Sequence, residues 1–190
     1  MALSEFYKRV LSAAVLLPPV VAAVYAGPPW YTILVVLFTA AMMWEWLVMA
    51  RTQVLWLALG AAYILGAAYV LFLMRGDGDA GRSLILFLFV VTWMTDTGAY
   101  LTGRTLGGPK LAPRISPSKT ISGAVGGLLA GVGAGILVWY LTGGVIDGQI
   151  AIAAVVGSIA CQVGDLLESA AKRHFGVKDS GRLIPGHGGV

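Results

Sequence analysis

Ile150-Ala-Ile-Ala-Ala-Val-Val-Gly-Ser-Ile-Ala-Cys-Gln-Val-Gly-Asp-Leu-Leu-Glu-Ser-Ala-Ala-Lys172 is the stretch that decides the fold. Most of it is apolar enough for the interior of a bilayer, yet polar residues enter at Ser158, Cys161, Gln162, Asp165, Glu168, Ser169 and Lys172. Their spacing is i, i+3, i+4, i+7, so on a helix they fall within an arc of about 120°. The rest of the surface is Ala, Ile, Val and Leu. Such a segment reads as a membrane span with one polar stripe.

The remainder of the chain agrees. Of its 190 residues 58% are hydrophobic and only 12% charged, with a mean hydropathy of +0.83. A soluble domain carries roughly 25% charge, and a water-soluble core is excluded. The apolar residues fall in blocks long enough to cross about 30 Å of hydrocarbon as helices. Six spans are expected, at about 10–27, 30–50, 54–74, 83–102, 121–142 and 149–170. The loops between them are short, so neighbours should run antiparallel. The expected fold is an all-α integral membrane protein, one polytopic bundle over residues 1–190, without internal repeat or low-complexity segment.

Basic residues set the expected orientation. With both termini cytoplasmic, Lys8, Arg9, Arg51, Arg104, Lys110, Arg114, Lys119, Lys172, Arg173, Lys178 and Arg182 lie inside, and only Arg75 and Arg82 outside. That is a strong positive-inside bias. The net charge of +4 therefore reports topology and contact with anionic lipid or phosphate, and asks for no nucleic-acid partner. Trp30, Tyr31, Trp139 and Tyr140 are placed at the outer interface, and Trp44, Trp46 and Trp56 at the inner one. Lys8 and Arg9 before an apolar run ending in Val24-Tyr25-Ala26 also fit a signal peptide, but Pro18-Pro19 interrupts the run and no soluble domain follows, so the first span is expected to be a retained helix. Cys161 is the only cysteine, so it forms no intrachain disulfide and reads as a small packing residue.

An Asp at the centre of a span costs about 2.5–3.5 kcal/mol on insertion scales. Asp165 lies nearer the cytoplasmic end, which lowers that cost without removing it. A purely structural account has Lys172 neutralise Asp165 or Glu168 one or two turns away. A metal or phosphate site suits the combination of carboxylates, hydroxyl and ammonium better. The fourth span repeats the pattern with Thr92, Asp96, Ala99, Tyr100 and Gly103 on one face; there Asp96 either orients a basic group or touches metal. The loop from Gly103 to Ser122 holds four basic residues and no acidic one. Within it, Ser116-Pro-Ser-Lys-Thr120 brings hydroxyls, a Lys and free N–H groups to the start of a helix, as phosphate sites do. The P-loop spacing is absent. Gly123, Gly127, Gly131 and Gly135 recur every fourth residue and make a smooth face for helix packing, within the bundle in preference to a dimer seam. Glu45 is read as an interfacial residue that snorkels or pairs with Arg51.

Two stretches carry a family resemblance. One is Trp93-Met-Thr-Asp-Thr-Gly-Ala-Tyr100 with Gly103-Arg104 and Ser116-Pro-Ser-Lys-Thr120. The other runs from Gly164-Asp165 through Glu168-Ser169, Lys172-Arg173 and Lys178-Asp179 to Pro185-Gly-His-Gly-Gly189. In order and spacing they resemble the phosphatidate cytidylyltransferases, or CDP-diacylglycerol synthases; the N-terminal spans match only in character. The resemblance implies Mg²⁺-dependent transfer of CMP from CTP to phosphatidate, in the bacterial inner membrane with the site facing the cytoplasm. It makes Asp165 a metal ligand and puts Ser169 and Lys172 beside it in the catalytic site. Arg173, Lys178, Asp179 and His187 then join Ser116, Ser118, Lys119 and Thr120 around the substrates, with Asp96 and Glu168 in support. A second, monovalent cation and a homodimer are compatible with it. The family pattern continues past His-Gly-Gly with Asp-Arg-x-Asp, which should supply a second acidic metal ligand. Because the sequence stops at Val190, the chain is expected to be a fragment of the active enzyme.

Two alternatives remain at this stage. A CTP-dependent lipid kinase would transfer the γ-phosphoryl group to a lipid hydroxyl. A transporter or ion pathway would need polar stripes across both leaflets, whereas the outer halves of the fourth and sixth spans are apolar.

Overall fold

Each apolar block becomes a helix: α1 (Ala2–Ala26), α2 (Trp30–Ala50), α3 (Val54–Arg75), α4 (Asp79–Thr105), α5 (Ile121–Leu141) and α6 (Gly148–His174). The computed structural model describes residues 2–76, 78–181 and 183. Helices α2 to α6 are each long and apolar enough to cross a membrane, whereas the apolar part of α1 is the shorter stretch Ala14–Ala26. Pro18 and Pro19 lie inside α1, which continues through them.

The sequence reading takes 103–122 for a loop, and here the chain differs. Lys110–Ala112 and Ser116–Thr120 form an antiparallel hairpin, β1 and β2, with Lys110 opposite Thr120 and Ala112 opposite Ser116. Pro109, Pro113 and Pro117 suggest irregular backbone. A two-stranded ribbon has only edge strands, however, where a missing N–H is tolerated. Pro113 also suits the second position of the turn closed by Ile115 N–H donating to the Ala112 carbonyl at 3.1 Å.

The helices divide between two compact units. One runs to Arg82 and resumes at His174; the other is Ser83–Arg173. In the first unit, Trp46 Nε1 donates to the carbonyl of Trp56 at 3.0 Å, and its indole fills the space a side chain at Gly60 would need. This joins α2 to α3. Arg75 is buried at the far end of α3, where Nε donates to the Val24 carbonyl at 2.9 Å and Nη1 to the carbonyls of Gly76 at 3.0 Å and Gly78 at 3.3 Å. A guanidinium on the last carbonyls of α1 meets the negative end of that helix dipole. Gly27, at φ +70°, passes so close that a Cβ would lie 2.8 Å from Arg75 Nη2. Tyr31, placed by its sequence in an outer aromatic belt, is instead buried and donates to the Leu71 carbonyl at 3.2 Å.

The second unit is organised by glycine. Gly123, Gly127, Gly131 and Gly135 are all buried on one face of α5. A Cβ at Gly127 would meet the Thr95 carbonyl at 2.7 Å, and one at Gly131 the Val91 carbonyl at 3.0 Å. Backbone-to-backbone approach of α4 and α5 thus uses the glycine face inside the chain. Behind it, Phe87, Val91, Ile150 and Ala154 form an apolar cluster with Trp139 edge-on to Phe87. Thr95 and Ser158, both fully buried, share a hydrogen bond of 2.8 Å that sets α4 against α6.

Gly127→Val is expected to destabilise the second unit by about 1–3 kcal/mol or more, because packed helix backbone cannot move aside for the new methyls. Gly133→Ala should be neutral, since nothing lies within 4 Å of that position. Thermal unfolding of both variants in detergent micelles checks the contrast.

Candidate active site

The hairpin ends where α5 begins, and that junction places the basic side chain of the site. Thr120 is extended (φ −122°, ψ 158°), and its Oγ1 accepts from Gly123 N–H at 3.1 Å, capping α5. Ser122 ties the same corner to the approach from α4: its Oγ bonds the Gly107 carbonyl and lies 3.0 Å from Thr120 Oγ1. Thr102 Oγ1, on α4, reaches the Ser122 carbonyl at 3.3 Å. A Cβ at Gly103 would lie 3.0 Å from Thr120 Oγ1, so α4 and the cap touch. One of the free N–H groups expected at this helix start is thereby occupied by Thr120. What the corner presents outward is Lys119.

Along α6 the polar stripe engages a different neighbour at each turn. Ser158 bonds Thr95 of α4. Cys161 Sγ donates to Asp96 Oδ1 of α4 at 3.6 Å. Gln162 Nε2 donates to the Ala124 carbonyl of α5 at 3.2 Å. Asp165 Oδ2 forms an ion pair with Lys119 Nζ of β2. One turn further on, Lys172 Nζ pairs with Glu168 Oε1 at 2.8 Å, and Arg173 Nε lies 3.5 Å from the Ile115 carbonyl in the hairpin turn. Lys172 therefore takes Glu168 rather than Asp165, whose positive neighbour comes from a separate element.

Asp96, Cys161, Asp165 and Lys119 make one electrostatic group, each close enough to affect the others. Asp165 is about half exposed at 48% and Lys119 only 23%, so the carboxylate remains open to a ligand from one side. Ser169 lies half-buried on the same helix. Of the hydroxyls, Ser116 and Thr120 are buried and Ser118 is exposed. Lys178 and Asp179 are exposed residues of the first unit, and His187 lies outside the described residues.

Sequence reasoning passed over Thr95, the partner of Ser158, although Thr92, Thr95, Asp96 and Ala99 lie on adjoining turns. It also assigned Cys161 to packing, while its thiol faces a carboxylate.

Oxygen donors from one or two carboxylates, completed by water and substrate phosphate, are what Mg²⁺ selects. Asp96 and Asp165 supply two carboxylates from two helices, within electrostatic reach of each other, which is the donor type such an ion takes. Among the described residues no group of three or more His, Cys, Asp or Glu is gathered to hold a metal ion, at this site or another, so these two carboxylates are the protein ligands the site could offer.

A profile of the Cytidylyltransferase family matches residues 49–190. A phosphatidate cytidylyltransferase of Brucella suis is 46% identical over 135 residues, which is 71% of this chain and 50% of that protein. One from Rickettsia bellii is 34% identical over 194 residues, covering 98% of this chain and 84% of the relative. One from Staphylococcus saprophyticus is 48% identical over 115 residues, 58% of this chain and 43% of its own length. The chain thus spans about half the length of the Brucella relatives it matches.

Thr120→Ala should lower stability by about 1 kcal/mol through loss of the cap, while Thr120→Ser, which keeps the acceptor, should restore most of it. Denaturant titration in detergent, followed by tryptophan fluorescence, measures both.

Proposed function

The chain belongs to the cytidylyltransferase family, and from that premise we propose that it carries the core of a site transferring CMP from CTP to phosphatidate, with CDP-diacylglycerol and pyrophosphate as products. The observation that supports this reading best is the ion pair between Lys119, at the head of α5, and Asp165, on the polar stripe of α6.

Both substrates are polyanions, one anchored in the lipid and one soluble, so their approach needs positive charge at the membrane face. Lys119 and Lys172, from two elements, pair with the carboxylates of α6, and Arg173 follows Lys172 against the hairpin turn. Asp165, with Asp96 beside it, would hold Mg²⁺, which when bound supplies charge neutralisation at the phosphates and at the pyrophosphate leaving group. A phosphatidate phosphate oxygen forms the new bond to the α-phosphorus of CTP, and the bond from that phosphorus to pyrophosphate breaks. The attacking oxygen is already ionised near neutral pH, so the chain need supply no general base. Before substrate arrives, Lys119 neutralises Asp165. An incoming triphosphate competes for the ammonium, and its release frees the carboxylate at the same moment. Ser116, Ser118 and Ser169 offer hydroxyls to the phosphates from β2 and α6.

The same reading places the protein in a bacterial inner membrane with both termini cytoplasmic. It is supported by the eleven of thirteen Lys and Arg residues that this orientation puts on one side. Arg75, one of the two exceptions, is buried on backbone carbonyls and so exposes no charge to the outer surface.

Asp165→Asn is expected to abolish formation of CDP-diacylglycerol from CTP labelled at the α-phosphate, with membrane insertion unchanged. Lys119→Met should raise KM for CTP about tenfold or more, the scale of one lost charge-assisted contact to phosphate. Wild-type turnover in Asp165→Asn would remove that carboxylate from the site, and lipid product labelled only from the γ-phosphate would overturn the reaction assignment.

A further inference from the structure

Glu45 is a carboxylate on a membrane-type helix, only 5% exposed, and it has no part in the site above. The chain leaving α6 comes back to meet it. Ser180 Oγ donates to Glu45 Oε2 at 3.1 Å. Gly181 lies flat against the same carboxylate: a Cβ there would collide with Glu45 Oε1 and Cδ and lie 2.8 Å from Cγ. No other residue type fits that position without moving one of them. Between α6 and Ser180 the segment is held by rings. Phe175 is edge-on to Trp46 at 5.8 Å and to Trp56 at 5.7 Å, and His174 is tilted over Trp56 at 4.8 Å. His174 Nε2 also lies 3.1 Å from Gln53 Oε1. The two tryptophans are themselves locked, since Trp46 Nε1 bonds the Trp56 carbonyl. Every one of these residues belongs to the first unit.

We propose that Glu45, with Trp46 and Trp56, forms a dock for residues 174–181, and that Glu45 thereby fixes how Lys178 and Asp179 are presented. A buried acceptor is costly to leave without its donor, so the carboxylate holds the segment at one depth. Aromatic edge-to-face packing fixes the other end. Lys178 and Asp179 lie between the two anchors, both exposed, where a ligand can reach them. On this account α2 and α3 hold a segment that carries the family's signature.

Trypsin cleavage after Lys178, followed by mass spectrometry on the full chain in detergent micelles, tests the dock directly. Glu45→Ala and Ser180→Ala should each speed cleavage about tenfold, the scale of one hydrogen bond to a buried acceptor. The double variant should cleave more slowly than the product of the two single effects, because the two residues share one bond. Glu45→Gln keeps an acceptor and should stay within about twofold of the parent. Cleavage of Ser180→Ala at the parental rate, or effects that multiply in the double variant, would overturn the dock. The cleavage rates decide the dock whether or not the parent chain forms CDP-diacylglycerol.

Discussion

A carboxylate cannot be carried into a bilayer without a partner, and the second unit is arranged around that constraint. Asp165 lies on a helix whose other faces are mostly Ala, Val, Ile and Leu, and its positive neighbour is supplied by Lys119 from a strand that is distant in sequence. Bringing the strand to the helix requires the hairpin, the Thr120 cap and the close passage of α4, at Gly103, past that cap. The close passage in turn requires the glycine face of α5. Local chemistry and helix packing therefore meet in one ion pair, half open to the outside, where charge can be exchanged for a ligand.

The polar stripe of α6 has a graded use. At its deepest part Ser158 meets Thr95, two hydroxyls satisfying each other in a place closed to water. In the middle, Cys161 and Gln162 meet a carboxylate and a carbonyl. Only near the end do full charges appear, paired as Asp165 with Lys119 and Glu168 with Lys172. Polarity thus rises along the helix toward the aqueous face, which keeps the desolvation cost of each group within what one partner offsets.

Much of this was legible beforehand because period and composition are local properties. The 3.6-residue repeat of polar positions in α6 follows from helix geometry alone, and so does the four-residue spacing of glycine in α5. The hairpin was not legible. Three prolines and a run of small polar residues suit irregular backbone equally well, and only pairing between β1 and β2 distinguishes the two. Tyr31 was misplaced for a related reason. An aromatic residue at a helix end serves a lipid interface or a protein interior equally, and its hydroxyl found a carbonyl on α3.

Hydropathy by itself determined that this chain lives in a membrane, since no soluble core accommodates so many apolar blocks. Residue spacing likewise determined which side of each helix is polar. Tertiary structure decided the partners. Spacing put Lys172 one turn from Glu168 and two from Asp165, leaving open which it would neutralise, and Glu45 could have met Arg51. In the folded chain Lys172 takes Glu168, Lys119 takes Asp165, and Glu45 receives Ser180. Pairing of groups on separate elements depends on distance in space, which no pattern along one helix contains.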